Sequence, residues 1–321
     1  MTASPDIGRA VAVLRRGGLV AFPTETVYGL GADATSDAAL HRLYRVKGRP
    51  GDHPVIVHLA PGAPVGDWAS TVPDVALALT ERFWPGPLTV VVPAAERVSR
   101  VATGGLDTVG LRVPDHPLAL ELLDAFGGAI AAPSANRFGR VSPTSAGAVT
   151  RDLGDDVDVV LDGGPCAVGL ESTIVDCTGA EPRVLRVGGV TLEALAEVLP
   201  SVPAVGGTTR APGTLASHYA PNATVEVVTP GTLAARAHEL ADGRRKVGVI
   251  ALAGDLAGVP VPDALIPLAR PADAIAYAHE LYGALRQADD LDLDVVLAIA
   301  PPPSGLGIAV ADRLGRAAHG H

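Results

Sequence analysis

Side chains able to hold anions recur along this 321-residue chain where short apolar runs give way to turns. In GLVAFPTETVYGLGA, residues 18–32, an apolar stretch meets Pro23, which cannot donate to a strand ladder. Thr24, Glu25 and Thr26 then put two hydroxyls and a carboxylate on a turn, and Gly29 and Gly31 let backbone come close to a neighbour. Lys47-Gly48-Arg49-Pro50 sets two cations around a glycine, where they can converge on one anion; the alternative is a solvated basic helix end. Arg112 interrupts the apolar run VGLRVP and, pointing inward, needs an anionic partner from protein or ligand. AAPSAN repeats the first pattern with Ser134 and Asn136, followed by Ser142; ESTIVD adds Ser172 and Thr173, and VLRVGG adds Arg186. Ser134 lacks the glycine pattern of a nucleophile elbow and reads as a binding hydroxyl.

With His58 and Thr108, these groups make a site rich in cations and hydroxyls, suited to a ligand with several anionic parts, such as a nucleotide plus a carboxylate. No Walker loop, kinase signature or metal-ligand cluster is found. His53 and His58 fall on opposite faces of a strand, which excludes a metal shared between them. Without an evident nucleophile, catalysis rests on positioning and charge stabilisation.

The elements that must position these residues alternate along the chain. Helices are expected over 6–16, 36–46, 75–83, 116–125, 145–153 and 192–199, and strands over 19–22, 54–59, 90–92, 109–114, 129–132, 157–161, 169–176 and near 184–187. Residues 201–221 turn rich in Pro, Gly, Thr and Ser and read as a linker, in which His218 and Tyr219 suit a lid or an anchor. Beyond it, strands at 225–228, 247–251 and 295–299 alternate with helices at 232–240, 272–288 and 309–318, the pattern of a small parallel Rossmann-like sheet. The expected fold class is α/β in two domains, 1–200 and 222–321.

Composition narrows the role. A net charge of −10 argues against stable nucleic-acid binding. Two cysteines, Cys166 and Cys177, form neither a disulfide framework nor a zinc site and fit a reducing compartment. No apolar run approaches the roughly 20 residues of a membrane span, and the N-terminal stretch does not read as a signal sequence; a cytoplasmic protein is expected.

Taken in order, GLVAFPTETVYGLGA, KGRP with HPVIVH, WPGPLT, VGLRVP, AAPSAN with SPT, ESTIVD and VLRVGG resemble the threonylcarbamoyl-AMP synthase family. The resemblance implies a YrdC-like domain, a twisted open sheet with flanking helices, over about 1–200. HYAP in the linker and the Rossmann-like tail resemble the family's two-domain form. It implies synthesis of threonylcarbamoyl-AMP and pyrophosphate from L-threonine, bicarbonate and ATP, with magnesium escorting the phosphates, and a downstream transferase that modifies tRNA. By the same resemblance Thr24 or Thr26, His58, Arg112, Ala132 and Ser172 hold threonine. Lys47, Arg49, Thr108, Ser134, Asn136, Ser142, Arg186 and Tyr219 hold the nucleotide. Two stretches depart from the family pattern: APGTLASHYAP lacks the usual Met and basic or aromatic residues after Pro-Gly, and Asp312 stands where Asn is common. The alternative, a non-catalytic RNA-binding YrdC-like module, lacks stacking aromatics, which make up 3% of the chain.

Overall fold

The computed structural model describes residues 5–199, 203–207, 209–213 and 218–319. They form two compact units: Met1–Phe138, Ser142–Ala167 and Glu171–Thr214 in the first, and Gly139–Val141, Val168–Leu170 and Leu215–His321 in the second.

The first unit opens with α1 (Pro5–Arg15), whose Ile7, Ala10, Val11 and Leu14 are buried on one face. Strand β1 (Val20–Phe22) stops at Pro23 and pairs antiparallel with β2 (Gly29–Asp33). Helix α2 (Asp37–Lys47) is capped by the Ser36 side chain and ends at Gly48 in the left-handed conformation, φ 65°. There follow β3 (Ile56–His58), α3 (Asp74–Phe83), β4 (Leu88–Pro93), β5 (Thr108–Arg112), α4 (Pro117–Phe126) and β6 (Ile130–Ala131). Then come α5 (Ala146–Leu153), β7 (Val159–Val160), β8 (Thr173–Asp176), β9 (Arg183–Arg186), α6 (Leu192–Ala196) and β10 (Ala204–Val205). The strands make one mixed sheet in the order β10-β9-β8-β4-β5-β3-β6-β2-β1-β7. Helices α1 and α4 pack over Val20, Phe22 and Ile130 to form the apolar core on one side.

Three features differ from the sequence reading. The segment after Tyr28 is strand β2, and its glycines face side chains of the same sheet. A Cβ on Gly31 would stand 2.7 Å from Ile130 Cγ2 and 2.9 Å from Phe22 Cε1, so the close approach serves packing. Within 201–221, Ala204 and Val205 pair with β9 as β10, and Ala211 packs with Ile56, Val91, Ile174 and Leu185; the remainder of that stretch at 201–202, 208 and 214–217 lies outside the described residues. Strand β8 begins at Thr173 rather than at Gly169.

The second unit holds β11 (Thr224–Val228), α7 (Pro230–Asp242), β12 (Val247–Ile250), β13 (Ile266–Ala269), α8 (Ala274–Asp290), β14 (Val295–Ile299) and α9 (Leu306–Ala318). Its four strands are all parallel, in the order β11-β14-β12-β13, as βαβ alternation requires. Strand β13 escaped the sequence reading because Pro267 and its half-exposed neighbours break the apolar run. Among the described residues no helix is long and apolar enough to cross a membrane.

Candidate active site

Side chains alternate across a strand, so register decides which of them share a face. His58 pairs with Arg112 and Ile56 with Gly110 across β3 and β5. Strand β4 sets Val91 opposite Gly110 and Pro93 opposite Thr108, which brings Thr89 to the same face. Thr89 pairs with Ile174 on β8, and Ile174 with Arg186 on β9. His58, Thr108, Arg112, Thr89 and Arg186 therefore line one side of the sheet. A narrow cleft opens on it, lined by Ile56, Thr108, Gly110 and Ile174 and by Arg210–Pro212.

The PTET turn is built by its first threonine. Thr24 Oγ1 accepts from the Thr26 and Val27 amides at 3.2 Å each and donates to the Val27 carbonyl at 2.6 Å. Thr26 Oγ1 lies 2.8 Å from it, and both threonines are buried. Glu25 answers the question of Arg112's partner: its Oε1 lies 2.7 Å from Arg112 Nη2, while Oε2 accepts from the Asp115 amide at 3.0 Å. Arg112 Nε also donates to the Gly86 carbonyl at 3.3 Å. His58 is buried edge-on to Phe22, and burial together with neighbouring Arg112 lowers its pKa to about 3, so the ring is neutral. The Ala132 amide donates to Ile56. Ser172 Oγ lies 2.8 Å from Thr89 Oγ1 and accepts from Arg186 Nη2 at 3.1 Å.

Lys47 closes α2 with its ammonium turned onto the 134–136 turn, donating to the Ser134 and Asn136 carbonyls at 2.5 and 2.6 Å. Burial, with Arg49 next in weight, holds its pKa well below the ordinary lysine range. Arg49 Nη2 donates to the Pro54 carbonyl at 2.8 Å, and its guanidinium lies over the Phe138 ring. Ser142 Oγ donates to Glu171 Oε1 at 2.7 Å, both side chains being buried. Arg186 spans from the Ser172 carbonyl to the Pro212 carbonyl, at 2.8 and 2.9 Å. Ser134, Asn136 and Lys47 thus form one group, and Ser172, Thr89 and Arg186 another. Tyr219 belongs to the second unit, where it is buried against Tyr282, with the Arg313 guanidinium over its ring at 5.0 Å.

Three residues of this neighbourhood were given no partner or role from sequence. Glu25 stood in the PTET turn, yet nothing local showed that it faces Arg112. Thr89 reaches Ser172 only through the pairing of β4 with β8. Glu171 reaches Ser142 from a turn distant in sequence. Cys166 is buried nearby, with its thiol pushed up to about 12 by burial first and Glu25 next, so it stays protonated and inert. Among the described residues no group of three or more His, Cys, Asp or Glu is placed to hold a metal.

Residues 12–188 match the family described as telomere recombination, and residues 190–319 match the C-terminal domain of threonylcarbamoyl-AMP synthase. The threonylcarbamoyl-AMP synthase of Pyrococcus abyssi is 43% identical, covering 96% of this chain and 92% of its own. That of Bacillus subtilis is 40% identical, covering 99% and 94%. The crystal structure of P. abyssi Sua5 complexed with L-threonine superposes with a TM-score of 0.90 at 40% identity, covering 98% of this chain and 94% of that one. With the matches running through both units, the chain belongs to the threonylcarbamoyl-AMP synthase family.

Proposed function

We propose that the protein joins L-threonine, bicarbonate and ATP into threonylcarbamoyl-AMP, releasing pyrophosphate. The observation that carries this reading is the set of four buried basic side chains described in the first unit, Lys47, Arg49, Arg112 and Arg186, in a chain of net charge −10. Burying cations is costly unless anions meet them, and an amino-acid carboxylate with a triphosphate supplies such anions.

In this reading Arg112 takes the threonine carboxylate. Neutral His58 and Ser172 offer uncharged hydrogen bonds, and Thr26 serves rather than Thr24, whose hydroxyl is committed to its turn. The Ala132 backbone completes the amino-acid subsite. Lys47, Arg49, Ser134, Asn136, Ser142, Thr108 and Arg186 take the nucleotide. The threonine nitrogen, having given up one proton, attacks bicarbonate and loses a second proton as the bicarbonate hydroxyl departs as water; the resulting carbamate oxygen displaces pyrophosphate from the α-phosphorus, which makes the enzyme a nucleotidyltransferase. Among the described residues no group of three or more His, Cys, Asp or Glu is placed to hold a cation; magnesium would arrive on the triphosphate and supply charge neutralisation there. A mixed anhydride of this kind needs an acceptor, and we assign that step to a separate transferase acting on tRNA. Two free, buried thiols fit work in the cytoplasm. Pyrophosphate release that requires threonine and bicarbonate together tests the reading, and release without either of them contradicts it.

A further inference from the structure

We propose that Glu25 recognises the α-ammonium of L-threonine, so that Glu25 and Arg112 together form a receptor for a zwitterionic α-amino acid rather than for a carboxylate alone. The proposal rests on the function given above. An arginine by itself accepts any carboxylate of suitable size. Here the Arg112 guanidinium stands 2.7 Å from the Glu25 carboxylate, with side-chain exposures of 4% and 8%. The pair has no net charge, as an α-amino acid has none, and it presents the two signs side by side. A carboxylate offers about four lone-pair directions. Glu25 Oε2 accepts from the Asp115 amide, whereas Oε1, buried and 2.7 Å from Arg112 Nη2, has no hydrogen-bond partner among the described residues, so it is the acceptor left for an ammonium. The adjacent His58 ring is neutral and the Cys166 thiol stays protonated, so neither adds a competing charge. A hydroxy acid in the same place would leave Glu25 without its ammonium, and a site built for such a partner rejects the analogue that lacks it.

The test uses the full chain and Glu25→Gln, with steady-state pyrophosphate release and calorimetric titration of L-threonine. Loss of a charge-assisted hydrogen bond should weaken threonine binding and raise its KM by about 10–100-fold, while the KM for ATP changes by less than about twofold. The probe of specificity is 2,3-dihydroxybutanoate, threonine with a hydroxyl in place of its ammonium. It should inhibit the unaltered enzyme weakly, and its inhibition constant relative to the threonine KM should fall by about tenfold in Glu25→Gln. Glu25→Asp, which keeps the charge, should restore the discrimination. Unchanged threonine affinity and discrimination in Glu25→Gln would overturn the proposal. So would an equal rise in both substrates' KM with a lowered melting temperature, the mark of a residue that only pins its turn. Threonine-independent pyrophosphate release by the unaltered enzyme would overturn the reaction instead, and the calorimetric comparison would still decide Glu25.

Discussion

Arg112 and Glu25 illustrate how much a single buried charge depends on its partner. Removing one member leaves the other uncompensated, which typically costs about 3–5 kcal/mol. Arg112→Ala should therefore unfold at markedly lower urea and, in whatever folds, lose threonine use while ATP affinity largely survives; equal loss of both substrates would remove Arg112 from the threonine subsite. His58 makes a second prediction. Its folded pKa of about 3 lies below the ordinary 6.5, so the unfolded chain binds the proton more readily. The stability this contributes is complete above pH 6.5 and is lost as pH falls toward 3, on the order of a few kcal/mol in all. Urea melts across that range should show the slope, and His58→Gln should flatten it; a slope unchanged in the variant would mean that the ring is not held neutral. From sequence, Arg112 could be seen to need an anion, but protein and ligand looked alike as sources. Glu25 became visible only when the fold set the turn against β5.

At the level of elements, α2 and the turn after β6 are tied by Lys47. Lys47→Ala leaves the Ser134 and Asn136 carbonyls without their donor, a loss of about 1–3 kcal/mol. It should also depress adenylate formation more than threonine binding, measured by pyrophosphate release beside threonine calorimetry; unimpaired turnover would exclude Lys47 from the nucleotide subsite. Gly31 in β2 is a packing position. Gly31→Ala should destabilise by about 1–3 kcal/mol through overpacking on Phe22 and Ile130, and a neutral effect in denaturant unfolding would contradict the packing account. Most helices were legible from apolar spacing and caps, as Ser36, Ser145 and Pro117 show. Strand β2 was not, because Gly29 and Gly31 read as turn glycines until Phe22 is seen against them. Strand β10 was hidden by its Pro- and Gly-rich surroundings and is defined by its pairing with β9 rather than by its own pattern.

For the molecule as a whole, family motifs made the reaction class legible, whereas the sheet order that sets His58, Arg112, Thr89 and Arg186 on one face follows from long-range pairing that no local pattern carries. Long-range contacts also bear on where the first unit ends. Thr209 Oγ1 donates to Asp176 at 2.6 Å, Arg210 meets Asp52 at 2.9 Å, and Pro212 accepts from Arg186. A fragment ending at Leu199 should therefore unfold at lower urea than one ending at Gly213, and equal midpoints would deny these contacts a stabilising role. The reaction itself is tested by pyrophosphate release from ATP by the purified chain with magnesium, adding or omitting L-threonine and bicarbonate, with the product weighed by mass spectrometry. Release is expected only when both are present, together with a mass equal to threonylcarbamoyl-AMP. Folded protein that binds ATP but releases no pyrophosphate under any of these conditions would contradict it.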